Sequence, residues 1–351
     1  MNVFGEKDLT DSPCIGICSS TNLGDEICIG CKRTAQEVID WNSYSDQQKI
    51  AINMRLRKET SILTEMNVTH WTAPVSTNEN DQAIDAIEQG RILHFPTLAF
   101  QLLPDENEFL SPSFAEIKAK NISFDRHTQR LRCAKCPAEK YARLKNMLQR
   151  FSEQAERLVH GLLTPYAAAL QLGRTSFRPV EIAGRLSSYR KDDTRLHVDA
   201  FPATPNQGRR ILRVFTNINP NGQARHWRVG EPFAEVVARF LPLVSKQWPG
   251  SAALLKWLRL TKSKRTAYDH LMLQIHDRMK ADLTYQKKVS QQSIYFAPGS
   301  SWIVQTDQVS HAAMSGQHVL EQTFYLPVTA MVNPTLSPLK TLEKWTGRVL
   351  T

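Results

Sequence analysis

No continuous apolar run in this sequence approaches the length needed to cross a bilayer. The opening stretch, MNVFGEKDLTDSPC, lacks the apolar core of a signal peptide. The expected location is therefore the cytoplasm. A Gly-rich phosphate loop is also missing, as is regular strand–helix alternation, which argues against a parallel dinucleotide-binding fold. There is no internal repeat and no low-complexity tract. Acidic residues fall short of basic ones, 34 against 44, leaving a net charge of +10. That balance favours acidic partners such as phosphorylated or carboxylated substrates, anionic membrane surfaces or nucleic acid, and does not choose among them. A solvated basic surface explains it equally well.

What is present is an ordinary folded composition: 351 residues, 41% hydrophobic and 22% charged. Such a chain suits one large domain with a small one, or two domains. Residues 1–62 read as a first unit. It holds four clustered cysteines, then two short amphipathic helices carrying Val38, Ile39 and Trp41, and Ile50, Ile52 and Met54. Ser45 and Gln48 have the spacing of a capping box for the second helix. Residues 63–82, rich in Thr, Asn and Pro, read as a linker. Residues 83–351 mix helices and strands. Leu144, Met147, Leu148, Phe151, Ala155, Leu158 and Leu162 form a helical stripe over 138–163, which Pro165 should end. Several extended segments follow, with a largely helical insert at 231–281. In the last of them Leu320, Phe324, Leu326 and Val328 share one face at even spacing. The expectation is an α+β chain: a double-stranded β-helix (jelly roll) with helical decorations, preceded by a small four-cysteine domain.

The chemistry centres on RLHVDAFPATP. His197 and Asp199, two apart on an extended strand, project to one side and can reach one ion. The spacing alone is weak evidence, because so short a motif recurs by chance. His311, beside a later strand, offers a third ligand, although one such histidine taken alone reads more readily as a hydrogen-bonded loop residue. Two His and one carboxylate with the remaining positions open is the facial triad of non-haem Fe(II) oxygenases. His270 and His276, in the helical pattern YDHLMLQIHDRM, read instead as packing or surface residues. An oxygenase that uses 2-oxoglutarate needs a cation for the cosubstrate's carboxylate. The stretch AAMSGQHVLEQTFYLP after His311 holds no Arg or Lys. Arg213, in RILRVF, is the geometric candidate from elsewhere.

Three long runs, TSFRPVEIAGRLSSYRKDDTRLHVDAFP, RRILRVFTNINPNGQARHWRVGEPF and DQVSHAAMSGQHVLEQTFYLPV, resemble the Kdo hydroxylases over roughly residues 83–345. The resemblance implies an Fe(II)- and 2-oxoglutarate-dependent dioxygenase. It would use O2 to hydroxylate C3 of a 3-deoxy-D-manno-oct-2-ulosonic acid (Kdo) sugar on Kdo-lipid A, giving Ko during assembly of the lipopolysaccharide inner core. It also implies peripheral contact with the cytoplasmic face of the inner membrane. Matching positions make His197, Asp199 and His311 the iron ligands and place Arg178, Arg213 and Trp227 in the active site. Arg213 is assigned to 2-oxoglutarate, and Arg178 to the cosubstrate or the sugar carboxylate. The basic series Arg185, Arg190, Lys191, Arg209 and Arg210 suits a substrate bearing carboxylates and phosphates, or is a solvated face.

The six cysteines are Cys14, Cys18, Cys28, Cys31, Cys133 and Cys136. Two close pairs, Cys14/Cys18 and Cys28/Cys31, have the spacing of a four-thiolate metal site. The pattern PCIGIC…GDEICIGCKRT resembles a small uncharacterised bacterial domain family. Zinc and an iron–sulfur cluster both accept four thiolates, the short C-x2-C loop favouring zinc. Cys133 and Cys136 fit free thiols, a redox pair or half a site. The competing reading of the whole chain is a non-enzymatic zinc-knuckle protein that binds nucleic acid and carries a degenerate jelly roll. No aromatic stacking motif supports it.

Overall fold

The computed structural model describes residues 8–351 except 15, 17, 29, 117, 118, 186, 246 and 249, so the first seven residues of the expected 1–62 unit lie outside it. The chain divides into two units, Met1–Ile62 and Leu63–Thr351.

In the first unit the local sequence sets the helix starts. Thr34 caps the helix Ala35–Ile39, and Ser45 caps Asp46–Thr60, each with a reciprocal bond from the residue three further on. Asn53 donates to the carbonyls of Leu9 (2.6 Å) and Asp11 (2.8 Å), tying the N-terminal stretch to the second of these helices.

The second unit contains eleven strands among the described residues: β1 (Leu63–Glu65), β2 (Ile92–Phe95), β3 (Ile122–Asp125), β4 (Arg130–Arg132), β5 (Gln171–Arg178), β6 (Arg210–Asn217), β7 (Arg225–Val229), β8 (Gln292–Phe296), β9 (Ser301–Gln305), β10 (His311–Ser315) and β11 (Val319–Leu326). They form an eight-stranded sheet, ordered β1-β2-β9-β6-β11-β5-β3-β4, and a three-stranded sheet, β10-β7-β8. All pairings are antiparallel except β1 with β2. The helix expected at 138–163 runs Ala138–Leu162 and buries its predicted stripe, and the insert is helical over Phe233–Phe240, Ser251–Trp257 and Ala267–Ala281.

One expectation needs correction. Residues 63–82 are not a linker. Leu63–Glu65 extends the large sheet by pairing with β2, Met66, Val68 and Trp71 are buried, and Ser76 caps the helix Thr77–Glu88. Polar composition masked the three apolar side chains that anchor the stretch to the core. The last strand buries its apolar face, as its even spacing implies, and its other face is buried as well. Leu320, Phe324 and Leu326 join the apolar core that includes Leu144, Leu148 and Phe151, but Glu321 and Thr323 on the other face are also buried. Register places Glu321 opposite Phe215 and Thr323 opposite Arg213, and both β6 residues line the central cavity. The polar face of β11 therefore looks into the site.

Candidate active site

The site is built on an alternation. Leu196 and Val198 are fully buried in the apolar core, so His197 and Asp199 between them turn to the opposite side. This extended stretch lies outside the eleven strands and is tied directly to β10. The His197 N–H donates to the His311 carbonyl (3.0 Å), and the His311 N–H returns a bond to the His197 carbonyl (2.9 Å). The Asp199 N–H donates to the Thr306 carbonyl (2.8 Å). Direct pairing brings the two imidazole centres to 4.6 Å. One ligand atom from each of His197, Asp199 and His311 lies within 4.8 Å of the others, the one such group among the described residues.

The protonation states suit a cation. Each histidine uses Nδ1 on a backbone carbonyl, His197 on Arg195 and His311 on Val309, both at 2.8 Å. Nδ1 therefore carries the proton and Nε2 presents its lone pair. Burial holds both imidazoles below their ordinary pKa, His197 strongly, with Lys280 and the other site histidines adding to its shift. Burial alone would raise Asp199, but Arg213 and His311 hold its carboxyl below the usual range. Arg213 lies 2.9 Å from Asp199 Oδ2, while Asp199 Oδ1 faces His197 Nε2 at 3.7 Å.

All six expected residues of this site line one cavity of about 630 Å³. Trp227 stacks on His311 with ring centres 5.1 Å apart and is itself packed by Phe215, Phe296 and Trp302. The ring therefore fixes the plane of the His311 imidazole. Arg213 is engaged at both ends, by Asp199 and by Glu321 Oε1 (3.0 Å). Arg178 grips Glu321 Oε2 through Nε (3.0 Å) and Nη2 (2.5 Å). Glu321 was not anticipated, because a charged residue on an alternating strand reads as solvent-facing.

Arg225 was missed too. It is 3% exposed and lines the cavity, and its nearest acceptor is the Gly316 carbonyl (2.7 Å). Among the described residues it has no carboxylate partner, and its Nε is unbonded. Burial, with the like charge of Arg178, lowers this arginine to about 9. Gly316 sits at φ +103°, where a Cβ would meet backbone at 3.1 Å, so glycine is needed for that carbonyl to turn toward Arg225. The helix Ala267–Ala281 contributes His276 and the buried Lys280, so His276 is a cavity residue and not the packing or surface residue its helical pattern suggested. Of the basic series, Arg190 and Lys191 reach the cavity. Arg210 does not: it is fully buried and paired with Asp307 at 2.7 Å.

The four clustered cysteines lie in the first unit. Cys28 and Cys31 are buried, and Cys14 and Cys18 are partly exposed. The backbone N–H of Cys31, helped by those of Ser19 and Gly30, lowers the Cys28 thiol to about 6 despite its burial. In this structure the four sulfurs are not gathered around one point.

The model for 3-deoxy-D-manno-oct-2-ulosonic acid (Kdo) hydroxylases matches residues 70–349. The chain belongs to the Kdo hydroxylase family. Its members hydroxylate Kdo, so this chain is an enzyme. Residues 12–60 match a protein family of unknown function, DUF1289. Among solved structures, the chain is 45% identical to the Kdo hydroxylase KdoO, a non-haem Fe(II) 2-oxoglutarate-dependent dioxygenase crystallised with 2-oxoglutarate and Fe(III). That match covers 82% of this chain and 97% of the other, with a TM-score of 0.80. A KdoO structure with cobalt(II) matches at 46% identity, 83% and 97% coverage and a TM-score of 0.81. One with succinate and Fe(III) matches at 45%, with 83% and 97% coverage and a TM-score of 0.80. No curated protein matches.

Proposed function

We propose that this Kdo hydroxylase acts on C3 of a Kdo unit of Kdo-lipid A, giving Ko during inner-core assembly at the cytoplasmic face of the inner membrane. The enzyme is an Fe(II)- and 2-oxoglutarate-dependent dioxygenase. The observation that supports this best is the paired His197–His311 bridge with Asp199 beside it, which sets two neutral Nε2 atoms and a carboxylate oxygen on one side of an open cavity. These three residues would hold the iron. When bound, iron with 2-oxoglutarate and O2 supplies the oxidising power that replaces an unactivated C–H by C–OH, 2-oxoglutarate leaving as succinate and CO2.

The chain's own residues position and exclude. The Arg195 and Val309 carbonyls fix the ring rotations, and Trp227 holds His311 in plane. Arg213 occupies Asp199 Oδ2 and leaves Oδ1 facing the histidines. The sequence reading put the 2-oxoglutarate carboxylate on Arg213, whose guanidinium is spanned by Asp199 and Glu321. Arg225 is the better receptor, since a buried cation without a carboxylate partner gains most from one. Arg178 stands beside it as a second cation of the same pocket end. Lys120, Arg190, Lys191 and Lys280 line the cavity as well and suit the sugar carboxylate.

The four-cysteine unit is proposed to bind one Zn²⁺ or an iron–sulfur cluster, supported by the N–H groups that favour a Cys28 thiolate. Elemental analysis and a visible spectrum of the purified full chain decide between them. For the reaction, anaerobic Fe(II) with 2-oxoglutarate should give a visible charge-transfer band in wild type and none in His197→Ala. A folded wild type without the band would remove the proposed ligand set.

A further inference from the structure

Between Leu241 and Arg265 the sequence holds six Lys or Arg and no Asp or Glu. The same stretch carries large apolar side chains that the fold leaves outside: Leu243 (53% exposed), Trp248 (82%), Leu254 (54%), Trp257 (77%), Leu258 (49%) and Leu260 (59%). Lys256, Arg259, Lys262 and Lys264 are exposed among them. Scattered exposed apolar residues are ordinary, but so many in one short segment mark an interaction surface.

The segment is fastened to the rim of the catalytic cavity. The Lys262 N–H donates to the Ala203 carbonyl (3.0 Å), and Arg265 Nη2 to the Pro202 carbonyl (2.8 Å), next to the cavity residues Phe201 and Pro202. At its other end the Ser245 carbonyl bonds His270 Nε2 (2.8 Å), on the helix whose His276 and Lys280 line the cavity. No helix of the described residues is long and apolar enough to cross a membrane.

We infer that these exposed Leu and Trp side chains, with Lys256, Arg259, Lys262 and Lys264 among them, are the surface by which this enzyme docks on an anionic phospholipid leaflet, bringing the cavity mouth to the level of the headgroups. Trp and Leu side chains enter the boundary between headgroups and acyl chains, while Lys and Arg meet lipid phosphates. Nucleic acid would match the charge but leave the apolar side chains in water, and a second copy of this chain would set two basic faces together. The inference rests on the proposed glycolipid substrate, which has to be taken from a membrane.

The test uses the full chain and vesicles of phosphatidylcholine, alone or with an equal part of phosphatidylglycerol. Wild type should sediment with the anionic vesicles and be released by high salt. Leu254→Ser/Trp257→Ser/Leu258→Ser should weaken this about tenfold or more. Lys256→Glu/Arg259→Glu/Lys262→Glu should weaken it about fivefold or more for each charge changed. Both variants should keep the wild-type circular dichroism spectrum and hydroxylate detergent-dispersed Kdo-lipid A at the wild-type rate. Wild-type protein that stays in the supernatant, or two folded variants that sediment as wild type does, would overturn the inference. So would a wild-type dimer that the serine variant dissolves, or DNA binding that only the charge variant loses. Hydroxylation of the dispersed substrate is read separately, so docking can fail while the activity stands, and the reverse.

Discussion

Two regions of this fold bury an arginine, and they treat it oppositely. Arg210, at the start of β6, is fully enclosed and answered at once by Asp307 (2.7 Å) and Gln308 (2.6 Å). Arg225, at the start of β7, is almost as enclosed but bonds a carbonyl and faces a neighbouring arginine; among the described residues no carboxylate pairs with it directly, Asp193, Glu181 and Glu321 acting on it only from further off. A buried charge with its partner in place is part of the structure, whereas one without a partner is held ready for a ligand.

Substitutions can break or sharpen that contrast, and the largest effect is expected at the paired arginine. Arg210→Met leaves Asp307 buried alone and should cost about 3–5 kcal/mol of stability in thermal or urea unfolding. The KM for 2-oxoglutarate should stay near wild type at temperatures where the variant is folded. Arg225→Met should do the reverse. Its ligand-free unfolding midpoint should hold or rise, while 2-oxoglutarate binding by calorimetry weakens by about 2–5 kcal/mol. A marked loss of stability in Arg225→Met would make Arg225 structural as well, and the contrast would collapse.

A smaller effect follows from titration. Free Arg225 loses its proton near 9, and a bound carboxylate raises that value. The affinity it contributes is therefore complete below pH 9 and falls as pH rises through and above it. Calorimetry in buffers of different ionisation enthalpy should show proton uptake on 2-oxoglutarate binding above pH 9 and none at pH 7. Smallest of all, Trp227→Leu removes a stack worth about 0.5–1.5 kcal/mol and should raise the Fe(II) concentration needed for half-maximal activity by no more than about tenfold.

The same-side placement of His197 and Asp199 was legible because it is local, but it took His311 and the long flanking runs to make an iron site of it. His197 and Asp199 need only the period of an extended chain, and Leu196 and Val198 between them supply the opposite, buried face. The long helix Ala138–Leu162 was legible for the same reason. What escaped depends on register between distant strands. Glu321 becomes a bridge between Arg178 and Arg213 only because β11 lies between β5 and β6. Arg210 read as a surface cation because Asp307 is 97 residues away. Arg225 left no local trace, its role being defined by the absence of a partner. His276 sat in a helical pattern that did not reveal which neighbour its ring would meet, and that neighbour is His197.

The central claim is tested most directly by incubating the purified full chain with Kdo-lipid A, Fe(II), 2-oxoglutarate and isotopically heavy O2, then weighing the glycolipid and locating the change. Wild type should gain one heavy oxygen on C3 of a Kdo residue, and Asp199→Ala none. An unchanged mass with wild-type, iron-loaded protein, or an oxygen placed elsewhere than on Kdo, would contradict it.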